Sequence, residues 1–235
     1  MKVQVNIPDT HYALRTMYTA ARTCYSKDSP IDIFYHSASI PQEEMLSLID
    51  KVIDAGHLST TEHFTFTLLI EGVSRALTHQ LVRHRLASYS QQSQRYCKLD
   101  DGFAYLTPDS ISTNEELNDG FKRAMATLSD LYDILIQEGI PAEDARSLLP
   151  NACLSNIVVT CNFRQLMHIC NERLCTCAQL EIRRLFQEIT KQFINQCPWA
   201  KKYLVPKCEV LGYCNEFSTR SCGRKPLKQN LLKIK

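Results

Sequence analysis

The chain has 235 residues, is 44% hydrophobic and 22% charged, and carries a formal net charge of +2. That length suits one large domain or two small ones, and the near-neutral charge argues against a general nucleic-acid binder while leaving room for a local basic site. No apolar run approaches the ~20 residues of a membrane span, and the opening MKVQVNIPDT lacks the apolar core of a signal peptide, so the expected location is cytoplasmic. Eleven cysteines are too few for a small disulfide scaffold, and they read as free thiols used as small hydrophobes. With seven glycines and neither GxGxxG nor GxxxxGK[ST], the usual dinucleotide fold and the P-loop are both unsupported.

Lys2 to Ile7 alternates and predicts a strand with Val3, Val5 and Ile7 on one face. Asp9 is placed to cap a helix whose buried side is Tyr12, Leu14, Met17 and Ala21. Lys27 to Ser39 reads as irregular and polar. After Pro41, the stripe Met45, Leu46, Ile49, Val52 and Ile53 predicts a helix that Gly56 stops. His57 to His63 is a polar cluster in which Glu62 could serve as an acid/base or as an orienting carboxylate. Phe64 to Ile70 predicts a strand broken by Gly72. Ser74 caps the next helix, which is expected to carry Arg83, His84 and Arg85 in its last turn.

Phe103 to Leu106 predicts a short strand. A long amphipathic helix follows from about Asn114 to Gln137, and Gly139 ends it. A short helix begins at Pro141 and closes at Pro150. Ala152 to Thr160 reads as a buried strand. Asn162 starts a helix with Phe163, Leu166, Met167 and Cys170 inside, and another runs from Ala178 to about Gln196 with Ile182, Leu185, Phe186, Ile189 and Phe193 inside. The tail from Lys201 to Lys235 is basic and holds Cys208, Cys214 and Cys222. A zinc site would need closer paired spacings and a fourth ligand, so no metal is expected. There is no repeat or Gly/Ser linker.

The densest polar stretch is LVRHRLASYSQQSQRY, Leu81 to Tyr96. Arg83, His84, Arg85 and Arg95 surround a run of hydroxyls and amides. Guanidinium forks suit phosphate oxygens, so this grouping points to a phosphorylated ligand with a flat ring beside Tyr89 and Tyr96. A helix C-terminus attracts one cation through its dipole; two arginines and a histidine exceed that. Ser93 with His84 is a nucleophile–base pair on paper, although a phosphate-binding hydroxyl fits the arginines better. Cys97 is a further nucleophile candidate.

A second constellation, Asn162, Arg164, His168 and Arg173, lies on one helix. At about 100° per residue, Arg164 and His168 share a face, whereas Arg164 and Arg173 point nearly opposite ways. A straight helix cannot give both to one compact pocket in a monomer. They serve two pockets, or one wide site shared between subunits, or they are surface charges.

Arg83-His84-Arg85, then seven residues, then Ser93 and Arg95-Tyr96, resembles the signature of flavin-dependent thymidylate synthases. Further matches fall in order: Ala20-Ala21-Arg22, His57 to His63 before Phe-Thr-Phe, Ala145-Arg146 with Leu149-Pro150, and Asn162 through Arg173 to Ala178-Gln179. The resemblance covers about residues 1 to 200, a catalytic domain, with 201 to 235 as a cysteine-containing tail packed on it. It implies an α+β fold with a central, mostly antiparallel sheet flanked by helices, in a homotetramer with shared sites. It implies thymidylate made from deoxyuridylate (dUMP), with carbon from methylenetetrahydrofolate and electrons from NADPH carried by FAD.

By position, the resemblance assigns Ser59, Glu62, Arg83, His84, Arg85, Asn162, Arg164 and His168 to FAD. It assigns Gln80, Gln91, Ser93, Gln94, Arg95, Arg146 and Arg173 to dUMP. Arg173, Ser93 and His57 fall at the reaction centre, Ser93 by binding rather than attack. The chain departs from the family at Gln91, where Glu is frequent, at His168, where some members have Asn, at Cys177, where some have His, and at Cys24, where some have Ser. Two other readings remain: a single-strand nucleic-acid module built on Arg83, Arg85, Arg95, Tyr89 and Tyr96, and a flavoprotein of this fold with other or lost activity.

Overall fold

A computed structural model describes residues 1–97, 99 and 102–231. In chain order the elements are β1 (Lys2–Asn6), α1 (Thr10–Thr23), α2 (Pro30–His36), α3 (Gln42–Asp54), β2 (Thr65–Ser74), α4 (Arg75–Leu81), β3 (Ala87–Gln91), α5 (Asp109–Ser112), α6 (Glu115–Gln137), α7 (Ala142–Ala145), β4 (Leu154–Asn162), α8 (Phe163–Arg173), α9 (Leu180–Gln196), α10 (Lys207–Leu211) and α11 (Lys228–Leu231). The strands form one antiparallel sheet in the order β1-β2-β4-β3, so the fold is α+β with helices flanking the sheet.

The chain forms two compact units. The first comprises Met1–Val3, Leu69–Arg83 and the described residues of Tyr89–Val159; the second comprises Gln4–Leu68, His84–Ser88 and the described residues from Thr160 onward.

In the first unit, Asn114 caps α6 by accepting from the Leu117 amide, as its side-chain type predicts. Met125 and Tyr132 are the buried residues of α6. Met125 packs with Phe103 and Cys153, flanked by Tyr105, Phe121 and Leu128. Leu117, Leu131 and Ile134 of the same helix stay exposed. The strand expected at Phe103–Leu106 is a single antiparallel bridge from Tyr105 to Cys153. β2 does not break at Gly72; it continues to Ser74 with Gly72 at φ +66°. A side chain there would be strained by that φ, and its Cβ would come 3.4 Å from the Met1 nitrogen. Ser74 then caps α4 through the Leu77 amide.

In the second unit, Asp9 caps α1 through the Tyr12 amide. Tyr12 itself is exposed rather than buried and meets Phe34 edge-on. The segment that reads as irregular contains α2, because Ser29 supplies an N-cap and Pro30 a pre-set first turn. Arg15 ties α2 down, donating to the Phe34 carbonyl at 2.6 Å and to Ser37 Oγ at 2.9 Å. β4 ends and α8 begins at Asn162, whose side chain accepts from the Gln165 amide at 2.9 Å. The next amide, Phe163 N, donates to the Phe64 carbonyl at 2.8 Å. The Phe163 ring, fully buried, stacks with Phe64 and Phe193 and meets Trp199 and Tyr203 edge-on.

The described tail belongs to this second unit. Tyr203 is buried and donates to the Asp50 carboxylate, which also pairs with Lys202. Burial and Asp50 push the Tyr203 phenol well above its ordinary pKa. Residues 232–235 of the tail fall outside the described residues. Along β4, burial alternates residue by residue, with Ser155, Ile157, Val159 and Cys161 buried; it is a half-buried strand, not the fully buried one its apolar run suggests.

Truncating Phe163 removes the ring on which this aromatic cluster closes. Phe163→Ala is expected to cost roughly 3–5 kcal/mol of unfolding free energy. Asn162→Ala, which removes only the cap, should cost about 0.5–2 kcal/mol. Denaturant titration of both variants checks the ranking.

Candidate active site

In the second unit, the polar cluster His57 to His63 folds as a 3-10 turn over Leu58–His63. Its two buried residues hold it: Thr61 Oγ1 donates to the Leu58 carbonyl at 2.6 Å, and Thr60 Oγ1 to the His57 carbonyl at 3.5 Å. The remaining polar side chains, His57, Ser59, Glu62 and His63, are at least partly exposed. Glu62 forms an ion pair with Arg164, at the start of α8. Both partners are nearly half exposed, so the pair contributes little stability and leaves the guanidinium able to change partners.

Arg83, His84 and Arg85 do not complete α4, which ends at Leu81 with Val82 as its cap. They lie in the connection to β3, with Arg83 and Arg85 exposed and His84 buried. His84 Nε2 accepts from Arg173 Nε at 3.0 Å, and its ring lies 5.8 Å from that of His168, edge-on. Burial, then the Arg173 charge, then His168, lower the His84 pKa from 6.5 to about 4. The imidazole is therefore neutral at physiological pH. With Nε2 accepting, the proton sits on Nδ1. Burial also lowers the Arg173 pKa, but a guanidinium stays charged. His84 thus touches both Arg173 and His168, joining two directions of α8 that the helical wheel separates. Asn162, for its part, caps α8.

In the first unit, Gln91 of β3 donates to Thr78 Oγ1 at 3.0 Å and to Ser155 Oγ at 3.2 Å. A glutamate at this position could not donate to either hydroxyl, so Gln91 suits its neighbours. Gln80 donates back to the Ala76 carbonyl at 3.3 Å, and Gln94 reaches Cys153 Sγ at 3.9 Å. Ser93 Oγ accepts from the Arg95 amide at 3.2 Å.

Arg95 donates twice to Glu143 Oε2, at 2.9 and 2.7 Å, and its guanidinium lies 5.3 Å from the centre of the Tyr96 ring. Arg146 Nε donates to the Glu143 backbone carbonyl at 3.0 Å. Glu143 therefore gathers the two arginines. No local spacing relates Glu143 to Arg95, 48 residues away, so sequence reasoning passed over it. Thr78 and Ser155 were missed for the same reason. An exposed ion pair is worth ~0–1 kcal/mol, whereas hydrogen bonds to a phosphate dianion reach ~1.5–3 kcal/mol, so a phosphorylated ligand would draw Arg95 away from Glu143.

Cys97 stays beside Ser93, its amide donating to the Ser93 carbonyl at 3.0 Å. Cys97 is exposed, and Cys24 is exposed with its thiol on the Ala20 carbonyl. Cys177 is exposed and donates to the Arg220 carbonyl at 3.3 Å. Cys161 lies on β4 and Cys170 on α8, and burial pushes both thiols up to about 12, so they are inert packing groups. Cys175 and Cys177 lie past α8 rather than in a helix.

The fold defines an α+β protein, and each of its two units gathers guanidinium groups with polar neighbours. Residues 7–199 match the family model described as thymidylate synthase complementing protein. The chain is 42% identical to a flavin-dependent thymidylate synthase of Geobacter sulfurreducens over 206 residues, 87% of each chain. It is 41% identical to the enzyme of that name from Nitratidesulfovibrio vulgaris over 230 residues, 93% of each chain. It is 42% identical to that of Pyrococcus abyssi over 216 residues, 88% of this chain and 86% of the relative. The chain belongs to the thymidylate synthase complementing protein family.

The neutral His84 makes stability depend on pH. Its folded pKa lies below its unfolded one, so the unfolded chain takes up a proton first as pH falls. The contribution is fully present above about 6.5, is lost as pH falls to about 4, and is flat below that. In His84→Gln this segment of the slope should disappear, as thermal melts across that range would show.

Proposed function

We propose that the chain is an FAD-dependent thymidylate synthase. It methylates dUMP to dTMP with methylenetetrahydrofolate as carbon donor and NADPH as reductant, releasing tetrahydrofolate. The observation that carries this reading is the family match over residues 7–199 together with relatives named for that activity across most of their length. When bound, FAD carries the hydride supplied by NADPH.

The residues present suit such a cofactor. Arg85 and Arg164 are exposed cations of the second unit, able to meet a diphosphate, and Ser59 and Glu62 lie in the turn that faces Arg164. We assign Ser59, Glu62, Arg83, His84, Arg85, Asn162, Arg164 and His168 to FAD. We assign Gln80, Gln91, Ser93, Gln94, Arg95, Arg146 and Arg173 to dUMP. Arg95 with Ser93 takes the phosphate, Arg146 adds charge beside them, and Arg173 takes the uracil.

The uracil ring needs help before its C5 attacks an electrophile. A guanidinium at its carbonyls stabilises negative charge as that charge develops, with no cysteine attached to the ring. Neutral His84 accepts from Arg173 and fixes the direction of the guanidinium. A cationic imidazole there would repel it. His57, exposed beside the 3-10 turn, is a further candidate at the reaction centre.

We infer a homotetramer with sites shared between subunits. The exposed Leu117, Leu131 and Ile134 of α6 are apolar surface for helix packing between copies. No helix among the described residues is long and apolar enough to cross a membrane. With eleven free cysteines, a reducing cytoplasm is the compartment that suits the chain. We take residues 1 to 200 as the catalytic domain and the remainder as its tail.

Three outcomes check this reading. Arg173→Ala should lower kcat/KM for dUMP by roughly 1.5–3 kcal/mol, about 10- to 150-fold, as for one lost charge-assisted bond. Arg95→Ala should act mainly on dUMP binding, raising KM. In anaerobic spectra, NADPH should bleach the FAD band of the wild type, at a rate that changes with dUMP. A bound flavin indifferent to both ligands would instead favour a flavoprotein of other chemistry.

A further inference from the structure

Five cysteines converge in the second unit, where the end of α8 meets the tail. Cys175, Cys208, Cys214 and Cys222 line one cavity of about 60 Å³, together with Glu216 and the cations Lys207, Arg220 and Arg224. Among the described residues, the sulfurs of Cys175 and Cys177 and a Glu216 oxygen are the group that already lies within 4.8 Å of one another, so the four thiols that line the cavity must draw closer to share an ion. Thr176 and Cys222 line the same cavity, which places the tail beside the turn after α8. Cys214 is buried, and its backbone is pinned: its amide donates to the Pro226 carbonyl at 2.7 Å, and its carbonyl accepts from Lys228 at 2.9 Å.

We propose that Cys175, Cys208, Cys214 and Cys222 form a structural site for a thiophilic divalent cation, of which Zn²⁺ is the type. The cavity's volume holds a single ion and no nucleotide. Tetrahedral coordination by four thiolates is the closed arrangement of structural zinc, and such donors select soft metals over magnesium or calcium. In sequence the site is hidden, because the three tail cysteines lack paired spacing and a fourth ligand. The fold supplies that ligand as Cys175, from the turn after α8.

Electrostatics agrees. Four thiolates around one dication carry a net charge of −2, and Lys207, Arg220 and Arg224 in the same lining offset it. Asn171 also lines the cavity, and its amide oxygen is buried without a hydrogen-bond partner. Turned over, that amide presents an N–H to a metal-bound thiolate, as outer-shell partners of metal sites do. Binding is balanced as four thiols and one dication giving the tetrathiolate complex and four protons; no oxidant enters. Cys177 stays outside the set, with its thiol on the Arg220 carbonyl. The site would tie the tail to the end of the helix that carries Arg173.

The test uses the full chain, purified reduced without chelator or metal-affinity tag. Elemental analysis should find close to one zinc per chain surviving gel filtration, and X-ray absorption should show four sulfurs at about 2.3 Å. A mercurial should release the metal, and the thermal midpoint should fall on release. Cys208→Ser and Cys222→Ser should lose the metal, whereas Cys177→Ser and Cys97→Ser should keep it. If the tail variants fail to fold, the wild type decides alone. Wild-type protein that holds no stoichiometric metal after titration with zinc under reducing conditions overturns the proposal. So do a nitrogen- or oxygen-dominated coordination shell and a disulfide among these cysteines in the protein as isolated from cells with thiols trapped.

Discussion

The turn from β4 into α8 holds the second unit's functional groups in place. Asn162 ends the strand and caps the helix with its own side chain, and the next residue anchors it twice, by a backbone bond to Phe64 and by a ring buried among aromatics. A buried strand-to-helix turn must satisfy its amides internally, and Asn162 and Phe64 supply acceptors for two of them. From that fixed point α8 carries Arg164 to Glu62, His168 to the His84 ring and Arg173 to the His84 nitrogen. A helix that starts in the wrong place misplaces all three together.

His84 is kept neutral beside an arginine. Burial and the Arg173 charge both disfavour imidazolium, so the His84 Nε2 accepts from Arg173 and holds it. The first unit uses the opposite device: Arg95 and Arg146 converge on Glu143, where exposure leaves the ion pair weak and exchangeable. One arginine is half-buried and held by a neutral imidazole; the others are more exposed and held by Glu143.

Much of the fold was legible because it rests on local chemistry. Asp9 and Ser74 cap the helices they were expected to cap, the helices expected to start at Asn114 and Asn162 do so, and Gly56 and Gly139 adopt the positive φ that ends α3 and α6. α2 was missed because a seven-residue helix offers too little periodicity, although Ser29-Pro30 is a start signal. β3 lay unseen inside the polar stretch, since Ala87 to Gln91 owes its strand to pairing with β4 rather than to β propensity. Arg83 to Arg85 were assigned to the last turn of a helix that had already ended. The residue types of the candidate site were readable, but the contacts that organise them were not. Glu143 with Arg95, Gln91 with Ser155, and Cys175 with the tail cysteines are all products of tertiary folding.

Product analysis tests the central claim most directly. The purified chain, with FAD, is given dUMP, methylenetetrahydrofolate and NADPH without oxygen, and dTMP is quantified by chromatography against NADPH consumed. Equimolar dTMP and NADPH oxidation, abolished when FAD is stripped and restored when it is returned, is the predicted result. Folded, flavin-loaded protein that oxidises NADPH and forms no dTMP would contradict it.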